Sequence, residues 1–124
     1  MRSEKRLFAL RGATQCANSI DDICARVQEM YDELLGSNNL DEADIVSIIF
    51  SVTGDLDAIN PCTALRKSGR AAGGTALFSA QEPVCKNSLE RVVRVIIHCY
   101  LDESSKVKHV YRNGAQVLRP DRTS

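Results

Sequence analysis

Arg94 stands inside the run Val92 to Leu101, which is otherwise the strongest strand signal in the chain. Strand alternation puts Val93, Val95, Ile97 and Cys99 on one face and Arg94, Ile96, His98 and Tyr100 on the other. A guanidinium turned toward a core is costly unless an anion meets it. An ion pair with Glu82 or Glu90, or a side chain snorkelling from the strand end, would be a purely structural answer. A small anionic substrate would be a functional one. Arg11, Glu82, Tyr111 and Arg119 also fall at or beside the ends of expected strands, where side chains from separate segments can converge on a cleft. Taken singly, each charge reads as a solvated surface group and Tyr111 as a half-buried packing residue. Together they offer anion binding and electrostatic stabilisation.

Other chemistries lack their residues. His98 and His109 have no Asp, Glu or Cys at a ligand spacing, no Ser, His and acid combination suggests a hydrolase triad, and both histidines read as ordinary. The stretch Gly69 to Gly74 lacks the lysine and hydroxyl residue of a phosphate-binding loop. Five cysteines, odd in number and without a CxxC pair, read as reduced thiols, and Cys99 on the expected core face argues against a reactive thiolate. Sixteen basic residues balance sixteen acidic ones, so no general positive field recruits nucleic acid or an anionic membrane. Met1 to Arg6 lacks the apolar run of a signal peptide, and Arg94 interrupts the most apolar later stretch. A soluble cytoplasmic protein is expected.

The elements that must position these residues can be read in order. The chain of 124 residues fits one domain, 1–124. Leu7 to Leu10 reads as a buried strand that leaves the sheet through the small-residue turn Arg11-Gly12-Ala13-Thr14. Ser19 before Asp21 and Asp22 is a helix cap, and Ile20, Ile23, Cys24, Val27, Met30, Leu34 and Leu35 recur at helical spacing as far as Gly36. Ile45 to Val52 is a β-branched central strand. Asn60-Pro61 opens a short helix over Pro61 to Lys67. Thr75 to Ala80 is a brief strand that Pro83 stops from running on in a sheet interior. Ser88 to Glu90 can make a helical turn before the Arg94 strand. Val107 to Tyr111 is a further strand, and Asn113-Gly114 a turn. This predicts an α+β fold: a mixed β-sheet with one main helix and short helices, whose open edges invite subunit association.

Arg11-Gly12-Ala13-Thr14, Gln81-Glu82, Arg94, His109-Val110-Tyr111 and Leu118-Arg119-Pro120-Asp121, in that order and spacing, resemble the chorismate mutases of the trimeric, pseudo-α/β-barrel class. Ser51 to Asp55, Pro61 and Arg66 fit the same pattern. The resemblance implies a pseudo-α/β barrel formed as a homotrimer, with clefts between subunits that convert chorismate to prephenate. It implies no cofactor and no metal, because the reaction is an intramolecular Claisen rearrangement. It implies that Arg94 donates to the breaking ether oxygen and to a carboxylate, that Arg11 and Tyr111 hold carboxylate oxygens, and that Glu82 accepts from the ring hydroxyl. Arg66 and Arg119 would lie at the mouth, and Leu118 would cover the ligand.

Three positions depart from the family pattern. Ser79 stands where members carry a cysteine, Asn60 where they carry an aromatic, and Thr63 where they carry a lysine. Ser79 can still hydrogen-bond the ring hydroxyl, so Asn60 and Thr63 put affinity at issue more than the reaction. The block Arg70 to Leu77 aligns only with a one-residue adjustment. Two other functions stay open: a catalytically weak chorismate-binding or regulatory module on the same fold, and an imine deaminase of the small trimeric family, which also uses an arginine to hold a carboxylate.

Overall fold

The computed structural model describes residues 4–119. Pro120 and Asp121 of the last motif lie outside them. Ser19 caps the first helix, accepting from the Asp22 amide at 3.1 Å, and Asp21 and Asp22 complement the positive end of its dipole. That helix, α1, runs Ile20–Ser37. The second, α2, is Pro61–Lys67, capped by the Asn60 side chain on the Cys62 amide at 2.8 Å and entered through Pro61. Both cap signals act locally, which is why both helices form where the residues indicate.

Five strands follow the order β1 (Lys5–Gln15), β2 (Ile45–Val52), β3 (Ala76–Gln81), β4 (Val92–Asp102) and β5 (Val110–Arg112) along the chain. Across the sheet the order is β3-β2-β4-β1-β5. The β2·β4 and β4·β1 pairs are antiparallel, while β2·β3 and β1·β5 are parallel. The expected mixed α+β sheet is therefore present. α1 and α2 cover one face, burying Leu10, Ile48, Phe50, Val93, Val95 and Ile97 against Ile23, Val27, Met30, Leu34 and Leu65. Burial of this size is the main term holding such a domain together.

Among the described residues, the other face carries no α-helix. Leu7, Ile49, Phe78 and Tyr100 are exposed there, with Phe78 retaining 63% of its accessible surface. Arg94 belongs to this open face, so the expectation that it turns toward a core is corrected: the core side of β4 is Val93, Val95, Ile97 and Cys99.

The main differences from the sequence reading fall in four segments, while β1 also starts earlier, at Lys5, α1 reaches Ser37 and β4 reaches Asp102. Arg11 to Thr14 do not form a turn but continue β1 to Gln15. Gly12 is there for close packing: a Cβ on it would stand 3.1 Å from Leu34 Cδ1, Met30 Sδ and Val95 Cγ1. Small residues in this strand admit α1, which local turn chemistry cannot distinguish from a bend. Ser88 to Glu90 are irregular, the turn lying earlier at Lys86 and Asn87. β3 begins at Ala76 rather than Thr75 and reaches Gln81, and β5 is only Val110–Arg112 because the ladder with β1 starts at Gly12↔Val110.

Gly12→Val tests the packing role. Inserting two methyl groups and a Cβ between β1 and α1 is expected to cost about 1–3 kcal/mol. Urea unfolding followed by circular dichroism should show a lower midpoint with an unchanged slope.

Candidate active site

The register of the sheet lines up a row of side chains on the open face. Tyr111 pairs with Ala13, Ala13 with Arg94, Arg94 with Ser51, and Ser51 with Ala80, so the row crosses all five strands. Strands lie about 4.8 Å apart, so the backbones of Tyr111 and Arg94 are separated by roughly 10 Å with only a methyl group between them. Small Ala13 therefore leaves a hollow flanked by an arginine and a phenol. One step along β1, Arg11 pairs with Ile96 and stands on the same face.

Arg94, Arg11, Tyr111, Leu118, Ser51, Ile49 and Ile96 line the resulting cavity of about 200 Å³. Arg94 Nε lies 3.2 Å from Glu82 Oε1, and the Ser51 hydroxyl donates to the same oxygen. The Glu82 amide donates to Val52 O at 2.7 Å, which carries the β2·β3 pairing one residue beyond β3 and holds the carboxylate at the cavity edge. The Arg94 and Glu82 side chains are 47% and 21% exposed, so their ion pair contributes only about 0–1 kcal/mol to stability. Its consequence is orientation: the carboxylate engages Nε and aligns the guanidinium plane. Two guanidinium groups against one carboxylate leave the site net positive and suited to an anion.

A second concavity of about 780 Å³ adjoins it, sharing Arg11 and Tyr111 and adding Lys108, His109, Arg112 and Arg119. Arg119 thus borders this neighbouring hollow rather than the Arg94 cavity. Leu118 does lie over the row, on a 3-10 turn at Ala115–Leu118 that packs with Ala13, Val92 and Tyr111.

Four residues singled out from the sequence are elsewhere. Asn60, Thr63 and Arg66 sit at the start of α2 and along it, and Ser79 is on β3 with its side chain toward the helix side. The Asn60 amide donates to Ser79 Oγ at 2.9 Å. None of the four lines the cavity at Arg94. Conversely, Ala13, Ile49 and Ile96 line it although their residue types signal no chemistry, and only the sheet register, read across strands distant in sequence, gives them this place.

The comparisons with known proteins agree on one family. Residues 7–122 match the family described as chorismate mutase type I. The chain is 33% identical over 115 residues to chorismate mutase AroH of Thermus thermophilus, covering 90% of this chain and 93% of that one. It is 28% identical over 115 residues to chorismate mutase AroH of Bacillus subtilis, covering 90% and 89%. A solved chorismate mutase from Clostridium thermocellum superposes with a TM-score of 0.82 at 45% identity, covering 89% of this chain and 98% of that one.

The five thiols differ in environment. Burial, with Asp22 nearby, pushes the Cys16 thiol up to about 11; burial also raises Cys62, partly offset by a hydrogen bond with Ser79, and raises Cys99. Raised values mean less thiolate at neutral pH. Iodoacetamide at pH 7.5, read by mass spectrometry of peptides, should label exposed Cys85 first and reach Cys16, Cys62 and Cys99 only after denaturation.

Proposed function

The chain belongs to the chorismate mutase type I family and is an isomerase that rearranges chorismate to prephenate; we propose that the rearrangement takes place against the row of Tyr111, Ala13 and Arg94. The observation that carries this reading is Arg94, held by Glu82 at the edge of a cavity whose other polar walls are Arg11 and Tyr111.

The rearrangement breaks one carbon–oxygen bond and forms one carbon–carbon bond within a single molecule, and no proton need be taken or given. Negative charge grows on the ether oxygen as its bond lengthens. Arg94 donates to that oxygen and to a carboxylate. An arginine suits this because its planar fork offers several donors at fixed angles. One such donor is worth about 3–4 kcal/mol in an enclosed site, a large part of the roughly 8 kcal/mol that a million-fold acceleration requires.

Positioning supplies the remainder. Arg11 and Tyr111 stand on adjacent strands and hold carboxylate oxygens, so the enolpyruvyl arm is kept over the ring in its compact conformer. Glu82 accepts from the ring hydroxyl while aligning Arg94. Leu118 covers the ligand, and Arg119 draws the dianion inward from the neighbouring concavity.

The catalytic unit in this reading is a homotrimer with a pseudo-α/β-barrel arrangement. A cavity of about 200 Å³ is smaller than the 300–1,000 Å³ typical of small-molecule sites, so a single chain offers an incomplete enclosure. The open sheet face supplies apolar surface for association through Leu7, Ile49, Phe78 and Tyr100. Ser79, Asn60, Thr63 and Arg66 then reach a neighbouring subunit's cleft from the β3 edge. In this reading the Ser79 hydroxyl, which accepts from Asn60, hydrogen-bonds the ring hydroxyl. Asn60 and Thr63 affect substrate affinity rather than the chemical step. The five unpaired thiols support a cytoplasmic setting.

Purified protein is expected to form prephenate from saturating chorismate, followed by loss of the chorismate absorbance. Arg94→Lys keeps the charge and loses the fork, so kcat should fall about 100- to 1,000-fold. Unchanged turnover would refute the role given to Arg94. Light scattering on the eluted protein should give a molar mass three times that of the chain; a monomer active at the same level would refute a site shared between subunits.

A further inference from the structure

The imidazole of His109 makes a contact that neither the rearrangement nor the core uses. Its Nδ1 lies 3.0 Å from the backbone nitrogen of Arg11, which donates to it across 98 positions of sequence. A backbone N–H can only donate, so Nδ1 must carry a lone pair, and the neutral ring holds its hydrogen on Nε2. Arg11 is the residue just before the β1·β5 ladder begins at Gly12↔Val110. The ring therefore stands where a further strand carbonyl would be, extending a three-pair ladder by one hydrogen bond.

That ladder joins the strand of Arg11 to the strand of Tyr111, the two groups assigned to carboxylate oxygens. β5 is three residues long, and just before it the Asn38 side chain makes a strand-like pair of bonds with the Lys108 backbone, at 2.8 and 2.9 Å. The Asn38 pair ties the segment to α1. His109 ties it to Arg11.

We propose that His109 is a positioning residue that fixes Arg11 relative to Tyr111 through the Arg11 backbone, and that its protonation releases this hold. The proposal rests on the reading of the cavity as a chorismate site. Protonated Nδ1 would present a hydrogen to a donor, so the bond is present above the imidazole titration and lost below it; an ordinary imidazole titrates near about 6.5. Among the described residues, Arg11 on β1, Lys108 beside the ring, Tyr111 and Arg112 on β5, Glu33 of α1 bound to Arg112, and Arg119 line the same concavity as the ring.

The test compares wild type, His109→Ala and His109→Asn. The Asn side-chain oxygen occupies the place of Nδ1 and accepts without titrating. In ¹⁵N-labelled wild type the Arg11 amide resonance should shift as pH falls from 8 to 5, and in His109→Asn it should stay put. At pH 7.5, His109→Ala should raise KM for chorismate about three- to tenfold with kcat nearly kept, as loss of one neutral hydrogen bond allows. In wild type kcat/KM should fall as pH drops from 8 to 5, and His109→Asn should restore KM and remove that fall. An Arg11 resonance insensitive to pH in wild type, or Asn and Ala variants with equal KM, would overturn the proposal. The amide titration needs no turnover, so it separates this inference from the function itself, which fails only if wild type forms no prephenate.

Discussion

Eleven consecutive antiparallel pairs, from Lys5↔Asp102 to Gln15↔Val92, join β1 to β4. A slip of one residue in that ladder would turn the charges of the slipped strand, Arg94 or Arg11, into the helix-packed core and bring Val95 or Leu10 out to solvent. The apolar residues of both strands resist such a slip, because Leu10, Val93, Val95, Ile97 and Cys99 all bury on the helix side. The charges are therefore placed by the hydrophobic effect acting on their neighbours, not by their own interactions.

This divides the sheet's two faces between stability and chemistry. The helix side holds the large buried side chains, while the open side holds exposed apolar residues and the charged cavity. The Arg94 to Glu82 pair is too exposed to stabilise the fold appreciably. Substitutions there can change function at little thermodynamic cost, whereas Gly12, one residue from Arg11 and on the opposite face, has no room for a Cβ without displacement.

The same geometry explains why the resemblance reads as an ordered set of separate pieces. Arg11, Arg94 and Tyr111 come from three adjacent strands, and Glu82 reaches Arg94 from beyond the sheet edge strand. Ser79 and Asn60 form their own contact on the far side of β3. Strands impose a two-sided alternation, so residues of one motif, such as Ser79 and Glu82, are turned to different places.

Short-range signals in the sequence were sufficient for the two helices, because Ser19 and Asn60 cap their own helices within two or three residues. The β-branched run gave β2 its limits, the alternation in β4 separated its two faces, and the spacing of the motifs pointed to the family. Arg11 to Thr14 misled because glycine and alanine serve both turns and tight packing, and only contact with α1 decides between them. The arrangement of Arg11, Arg94 and Tyr111 around Ala13, the choice of Glu82 over Glu90 as the partner of Arg94, and the bond from the Arg11 backbone to His109 belong to tertiary structure alone. Each joins residues distant in the chain, His109 and Arg11 by 98 positions, and such pairings depend on strand order and register, which no local spacing encodes.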